Sequence, residues 1–232
     1  MTAVAPWTVL DSKVVFADPW LRVRSGHVRT ADGDVFGPYY VIEVPDWVTV
    51  VALTGDGQRL LTVREYRHGI GAVLSGLPGG LADPGDGMDR VKAAQTAARR
   101  ELREETGCLA GEIERLATLR PNPSNQTNIA YCFLATGLIR SASPQLCGPG
   151  EVYEVVEADL VRVLGDMREG GVTLHAMHVA ALWSAAARIA SDGSGRFGTL
   201  PARLRRFLAG ECPRCPDACA INGDLAPTMI GG

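Results

Sequence analysis

The stretch Arg100-Glu101-Leu102-Arg103-Glu104-Glu105-Thr106-Gly107 reads as the last two turns of a helix, with Gly107 as the residue that stops it. Glu101, Glu104 and Glu105 stand at spacings of zero, three and four, so their carboxylates share one face. That placement is poor for stability. Like charges four apart cost roughly 0.2–0.5 kcal/mol, and acids in a last turn oppose the helix dipole by about 0.3–1 kcal/mol. Arg99, Arg100 and Arg103 offset part of this, and a solvated, salt-bridged helix end is the plainest account. The residues ahead of the helix decide against it.

Leu77-Pro78-Gly79-Gly80-Leu81 is a glycine-rich bend in which backbone can approach a ligand closely, and Asp83-Pro84-Gly85-Asp86-Gly87 extends the loop. Asp89 is a usable N-cap, so the helix is expected from there to Thr106. Val91, Ala94, Ala98 and Leu102 form its expected buried stripe. The stripe lies about 100° from the face of Glu101 and Glu105, which leaves the acids free to line a cleft. A glycine bend followed by clustered carboxylates suits a hard divalent cation beside a phosphate. Mg²⁺ takes oxygen ligands in octahedral geometry, here the bend carbonyl, Glu101 and Glu105. A bound cation also turns carboxylate crowding into a favourable arrangement.

Outward from this centre the chain alternates strands and helices. Residues 7 to 44 are β-rich: Trp7–Leu10, Lys13–Phe16, a run through Leu21 to Val28, a turn at Asp32-Gly33, then Val35-Phe36 and Tyr39–Ile42. Three short strands rarely hold alone in water, so this piece must pack on the next domain or on another subunit. Val48–Leu53 is β-branched and nearly continuous, as in a strand buried on both faces. Leu60–Val63 follows and runs out into Arg64-Glu65-Tyr66-Arg67. After Gly107, Ile113–Leu119, Ile129–Ala135 and Val152–Val156 read as strands, with helices over Leu160–Glu169, Leu174–Ala190 and Pro201–Leu208. The order predicts an α/β sandwich and not a doubly wound parallel sheet.

The 232 residues are ordinary in composition, 46% hydrophobic and 21% charged, which fits one large globular domain or a core with an appended subdomain. A formal charge of −3 argues against broad nucleic-acid or anionic-membrane binding. Neither a secretory leader nor a long apolar span is visible, so a cytoplasmic protein is expected.

Leu77-Pro78-Gly79-Gly80, followed by Ala97-Ala98-Arg99-Arg100-Glu101-Leu102-Arg103-Glu104-Glu105-Thr106-Gly107-Cys108, closely resembles the signature of Nudix hydrolases. The second half matches the family pattern at every defined position. The first half departs from it: thirteen residues separate Asp86 from Arg100 where the family has seven, so the motif is stretched by six. Asp86 is then the surrogate for the family's first acid, or there is none. The wider pattern, including Arg64-Glu65-Tyr66-Arg67 and Asn122-Pro123, looks like the ADP-ribose pyrophosphatase (ADP-sugar diphosphatase) branch.

The resemblance implies a Nudix α/β/α sandwich with a mixed sheet, preceded by a small antiparallel β subdomain. The expected divisions are 1–45 as a dimerisation subdomain, 46–191 as the hydrolase domain and 192–232 as a short helix with a Cys/Pro/Gly-rich tail. It implies Mg²⁺, or Mn²⁺, held by Glu101, Glu105 and the carbonyl of Gly79, with Glu104 assisting and Arg100 orienting the acids. Arg67 resembles the family's substrate-phosphate arginine, with Arg64 and Gly80 as further substrate contacts. A late acid from the loop before the last strand completes such sites as metal ligand or base; Glu151 fits first and Glu154 second. The implied reaction is metal-dependent hydrolysis of a nucleoside diphosphate linked to another group, such as ADP-ribose or a nucleotide sugar, by a homodimer. Alternatives are a Nudix enzyme for another organic diphosphate, such as a prenyl diphosphate, or a non-catalytic nucleotide-sensing module.

Several other features have plainer readings. His175 and His178 stand three apart on a helix but lack an acidic partner at matching spacing, and read as ordinary helix residues. Cys212, Cys215 and Cys219 give zinc three ligands of the four it wants. They read as reduced thiols in an irregular tail, with a shared half-site or a disulfide as alternatives. Trp7, Trp20 and Trp47 are expected in core or interface.

Overall fold

A computed structural model describes residues 4–54, 57–82, 89–141, 152–170 and 174–211. A three-stranded antiparallel sheet comes first, formed by β1 (Thr8–Ala17), β2 (Arg22–Arg29) and β3 (Val35–Glu43) in that order. The two expected segments before Asp18 are one strand, continuous through two register shifts against β2. All ten residues of β1 are exposed. The end of β3 docks on the loop 122–127: Ile42 donates to the Asn125 carbonyl at 2.7 Å and Thr127 donates to the Ile42 carbonyl at 3.3 Å. Tyr39 donates its hydroxyl to the Ser124 carbonyl in the same loop.

The second sheet is mixed. Its strands are β4 (Trp47–Leu53), β5 (Leu60–Arg67), β6 (Ala72–Gly76), β7 (Gly79–Leu81), then, after the short β8 (Cys108–Leu109), β9 (Glu112–Leu119) and β10 (Ala130–Thr136). β11 (Ile139–Arg140) pairs only with β8, and β12 (Glu154–Ala158) forms an edge of the mixed sheet. The order is β12-β5-β4-β10-β9, with β4 and β10 parallel and the other neighbours antiparallel. β4 and β5 share only the pairs Ala52↔Leu61 and Leu53↔Leu60 before they part. The returning chain fills the gap, β6 along β5 and β7 along β4.

Helices cover both faces: α1 (Arg90–Thr106) on one, and α2 (Leu160–Arg168), α3 (Ala176–Ala190) and α4 (Leu200–Leu208) on the other. Strand alternation builds the two cores. Val48, Val50, Ala52, Tyr131 and Phe133 meet Ala94, Ala98 and Leu102 of α1, while Val51, Leu53, Cys132 and Leu134 meet α2, α3 and α4. Fully burying a side chain such as Leu102 is worth about 1.5–3 kcal/mol. Val91 departs from the expected stripe and is exposed, because Ala93 and Ala97 turn the buried face around the helix. The linker after α3 also carries core: Phe197 is fully buried within the α3–α4 layer.

Candidate active site

Local rules fix the ends of α1. The Asp89 side chain accepts from the backbone N–H groups of Val91 and Lys92, and Gly107 closes the helix at φ 71° with its N–H on the Arg103 carbonyl. Arg90 anchors the first turn to Asp46 through two bonds, at 2.8 and 3.0 Å, and Asp46 also accepts from Ile129 N–H at 2.9 Å. The loop at 83–88, which holds Asp86 and the first residues of the insertion expected after it, lies outside the described residues. Asp46 and Arg90 bracket that insertion, and neither stood out in the sequence.

At the other end of α1 the acids converge on the glycine bend. Glu105 is 4% exposed, and its Oε2 accepts from Gly79 N–H at 3.0 Å. Burial pushes its carboxyl up to about 9, against the lowering effect of the Gly79 N–H. The nearby charges of Glu101 and Glu65 push the same way, and Arg67 opposes them. Arg100 donates to Glu101 at 2.9 Å, to Glu104 at 3.3 Å and to the Leu81 carbonyl at 2.9 Å, so one guanidinium ties two acids to the strand after the bend. A Cβ on Gly80 would stand 2.5–2.8 Å from the Glu101 carboxylate. The bend is therefore glycine where an acid lies directly against it.

Alternation along β5 sorts the arginines. Glu65 and Arg67 form an ion pair on the same alternation as Leu61, within electrostatic reach of Glu105. Arg64 points to the other face and pairs with Glu154 across β12 at 2.8 Å, both side chains exposed. The structure thus gathers Gly79, Gly80, Arg100, Glu101, Glu104 and Glu105, with Arg67 alongside. It leaves Arg64 and Glu154 engaged with each other. Glu151 and the loop before it lie outside the described residues, as do Cys147, Cys212, Cys215 and Cys219. Glu65 was missed; its signal was the two-residue spacing from Arg67. A cavity of about 230 Å³ between Trp20, Arg22 and Glu43 at the base of the small sheet shares no residue with the acids.

His175 and His178 each use Nδ1 on a backbone N–H. His175 caps α3, its Nδ1 accepting from Met177 N–H at 3.2 Å. His178 is 2% exposed and its Nδ1 accepts from Leu77 N–H at 3.2 Å. Burial, with help from His175 and Arg67, lowers it to about 3, so the ring is neutral. Leu77 is where the chain leaves β5 as a partner and joins β4, and its N–H has no place in either ladder. Leaving such a group unpaired inside a protein costs about 1–3 kcal/mol.

The donors fit a hard cation. Two crowded carboxylates, Glu101 and Glu105, face the bend, and a divalent ion there would offset the burial and like charge that raise the Glu105 pKa. Among the described residues no group of three His, Cys, Asp or Glu side chains is placed to hold a metal ion by itself.

This architecture and motif define a Nudix hydrolase. Residues 45–171 match the NUDIX domain, and the chain belongs to that family. Residues 7–42 match the nucleoside diphosphate sugar hydrolase N-terminal domain. The chain is 30% identical over 136 residues to an ADP-ribose pyrophosphatase of Mycobacterium tuberculosis, covering 59% of this chain and 62% of that protein. It is 30% identical over 143 residues to CMP-5'-(N-acetyl-N-hydroxy-3-aminopropyl)phosphonate hydrolase of Streptomyces rubellomurinus, covering 61% and 65%. The crystal structure of an ADP compounds hydrolase shares the fold, with a TM-score of 0.69 at 24% identity over 83% of this chain and 99% of that one. The protein is accordingly an enzyme acting on diphosphates, of the nucleoside diphosphate sugar type.

Proposed function

We propose that the protein hydrolyses the pyrophosphate bond of a nucleoside diphosphate linked to a second moiety, ADP-ribose or a nucleotide sugar first, and that it needs Mg²⁺ or Mn²⁺. The observation that carries the reading is the buried Glu105 held on Gly79 N–H, with Glu101 and Glu104 clamped by Arg100 beside it. Glu101, Glu105 and the Gly79 carbonyl would hold the metal. When bound, that ion polarises the phosphate oxygens and lowers the pKa of a ligated water.

The chain's own residues do the rest. Arg67 neutralises a phosphate of the substrate, and its pairing with Glu65 fixes the direction of the guanidinium. Arg100 keeps Glu101 and Glu104 from swinging to solvent. Glu151 takes the proton of the attacking water as its oxygen bonds to phosphorus and the bridging P–O bond breaks. The electron pair leaves on the bridging oxygen, and the products are two monophosphates. A carboxylate base of this kind contributes about 10²–10⁴-fold.

The similarity to an enzyme acting on a CMP-linked phosphonate favours one variant of this reading, in which the nucleoside monophosphate half is shared and the second moiety differs. The small N-terminal sheet serves as the face between two copies in a homodimer. The buried thiols of Cys108 and Cys132 suit the reducing cytoplasm expected from the sequence.

The test is Glu105→Gln assayed with Mg²⁺ against ADP-ribose, nucleotide sugars, dinucleotides and prenyl diphosphates. Turnover of one nucleoside diphosphate compound by the native chain, lowered at least about a hundredfold in the variant, is the expected result. Near-native activity of Glu105→Gln would sink the assignment.

A further inference from the structure

We propose that His178 is a positioning residue for the metal site, holding the glycine bend from behind the sheet through its Nδ1. The inference rests on the reading that Gly79, Glu101 and Glu105 hold the metal.

Three successive residues of the bend are tethered to three different elements. Leu77 N–H donates to His178 on α3 at 3.2 Å, the Pro78 carbonyl accepts from Val50 N–H on β4 at 2.8 Å, and Gly79 N–H donates to Glu105 on α1 at 3.0 Å. The second and third tethers belong to the sheet and to the motif helix. The first comes from α3, which lies wholly beyond residues 45–171 and is the opposite layer of the sandwich. It acts where β4 and β5 have parted, so no strand can replace it.

The ring is itself held in place. Gly76 leaves room for it, since a Cβ there would stand 2.8 Å from His178 Cε1 and 3.0 Å from Nδ1. On its other side lies His175 at 5.2 Å between centroids, and His175 in turn lies 5.3 Å from Trp47. Trp47 pairs with Leu81, the residue whose carbonyl Arg100 holds. With Nδ1 accepting, the neutral imidazole carries its proton on Nε2. One acceptor atom two residues before Gly79 thus sets where the Gly79 backbone stands relative to Glu105.

A packing role and a positioning role differ in which atom matters. Asparagine places an acceptor where Nδ1 is, glutamine places one near Nε2, and leucine fills the volume with none. Mn²⁺ affinity of the full chain, followed by electron paramagnetic resonance, and exchange of the Leu77 and Gly79 amides in metal-free protein are the readouts. His178→Asn should stay within about threefold of native affinity, while His178→Gln and His178→Leu should weaken it about 10–100-fold, as loss of a supporting partner does. The Leu77 amide should exchange faster in the latter two, with the amides of β4 and β10 still protected. If the leucine variant does not fold, the Asn and Gln pair alone decides. Native affinity and native Leu77 protection in His178→Leu, or equal weakening in all three variants, would overturn the proposal. Failure of the native chain to bind Mn²⁺ would instead sink the metal reading, and the metal-free exchange result would still judge the Leu77 tether.

Discussion

Glu105 sits where burial and neighbouring carboxylates both oppose its charge, a cost that a cation would offset on the proposed reading. Thermal melting should show this directly. Mg²⁺ at a hundredfold over its Kd should stabilise the native chain by ~2.7 kcal/mol, and Glu105→Gln should lose that gain without losing stability in metal-free buffer. His178 makes a prediction of opposite character, about pH. Its folded value near 3 lies below the ordinary 6.5 of an unfolded histidine. The unfolded chain therefore takes up the proton first as pH falls. Stability is fully present above about 6.5 and declines down to about 3, with a slope of up to roughly 1.4 kcal/mol per pH unit. After burial, the charges of His175 and Arg67 add to the lowering. Urea unfolding from pH 7 to 4 on native protein and His178→Asn should show the decline smaller in the variant by that amount. His178 was not legible as more than a helix residue, because its partner is a backbone N–H 101 residues away. Spacing along a helix reports ligand pairs, not contacts with a strand switch.

At the scale of elements, Gly79 and Gly80 are adjacent glycines with different duties. A Cβ on Gly79 would overlap the Val48 carbonyl, which is backbone in the centre of the sheet. A Cβ on Gly80 would meet the side-chain carboxylate of Glu101 before any backbone. Gly79→Ala should therefore lower the melting temperature by an amount worth about 1–3 kcal/mol. Gly80→Ala should leave the melting point near native while weakening Mg²⁺-dependent turnover. Calorimetry beside an activity assay separates the two. α1 was readable almost to the residue, because Asp89 and Gly107 mark its ends by chemistry that acts within four residues. β6 and β7 were not. Gly76, Gly79 and Gly80 signal a bend, and they pair as strands only because β4 and β5 part and leave ladder positions open.

For the whole molecule, the sandwich with a mixed sheet and a separate antiparallel N-terminal sheet was legible from the order of elements and from the motif. The layer assignment was less so, since Val91 is exposed and Phe197 buried in a stretch of Ser and Gly. Charge and period cannot show where a linker dips inward. The small sheet leaves Trp7, Val9, Val14, Val15 and Phe16 exposed on and beside an edge strand. Single-chain proteins seldom leave such a patch or such an edge uncovered. Sedimentation should find a dimer, and Val14→Glu with Phe16→Glu should shift it to monomer while the mixed sheet stays folded.

The central parallel pair carries a consequence for how the chain is made. Trp47 of β4 meets Ala130 of β10, so the strand lies 83 positions from the neighbour that completes its ladder. Closing so long a loop is entropically slow, and pairings of this range delay folding. During synthesis β4 can recruit β5, β6 and β7 early, yet its other edge stays bare until β10 has left the ribosome. The exposed strand is mostly apolar, with Val48, Val50, Val51, Ala52 and Leu53 buried only in the finished protein. The half-made chain is thus most prone to mispairing just while the motif helix is emerging, and chaperone demand should peak there.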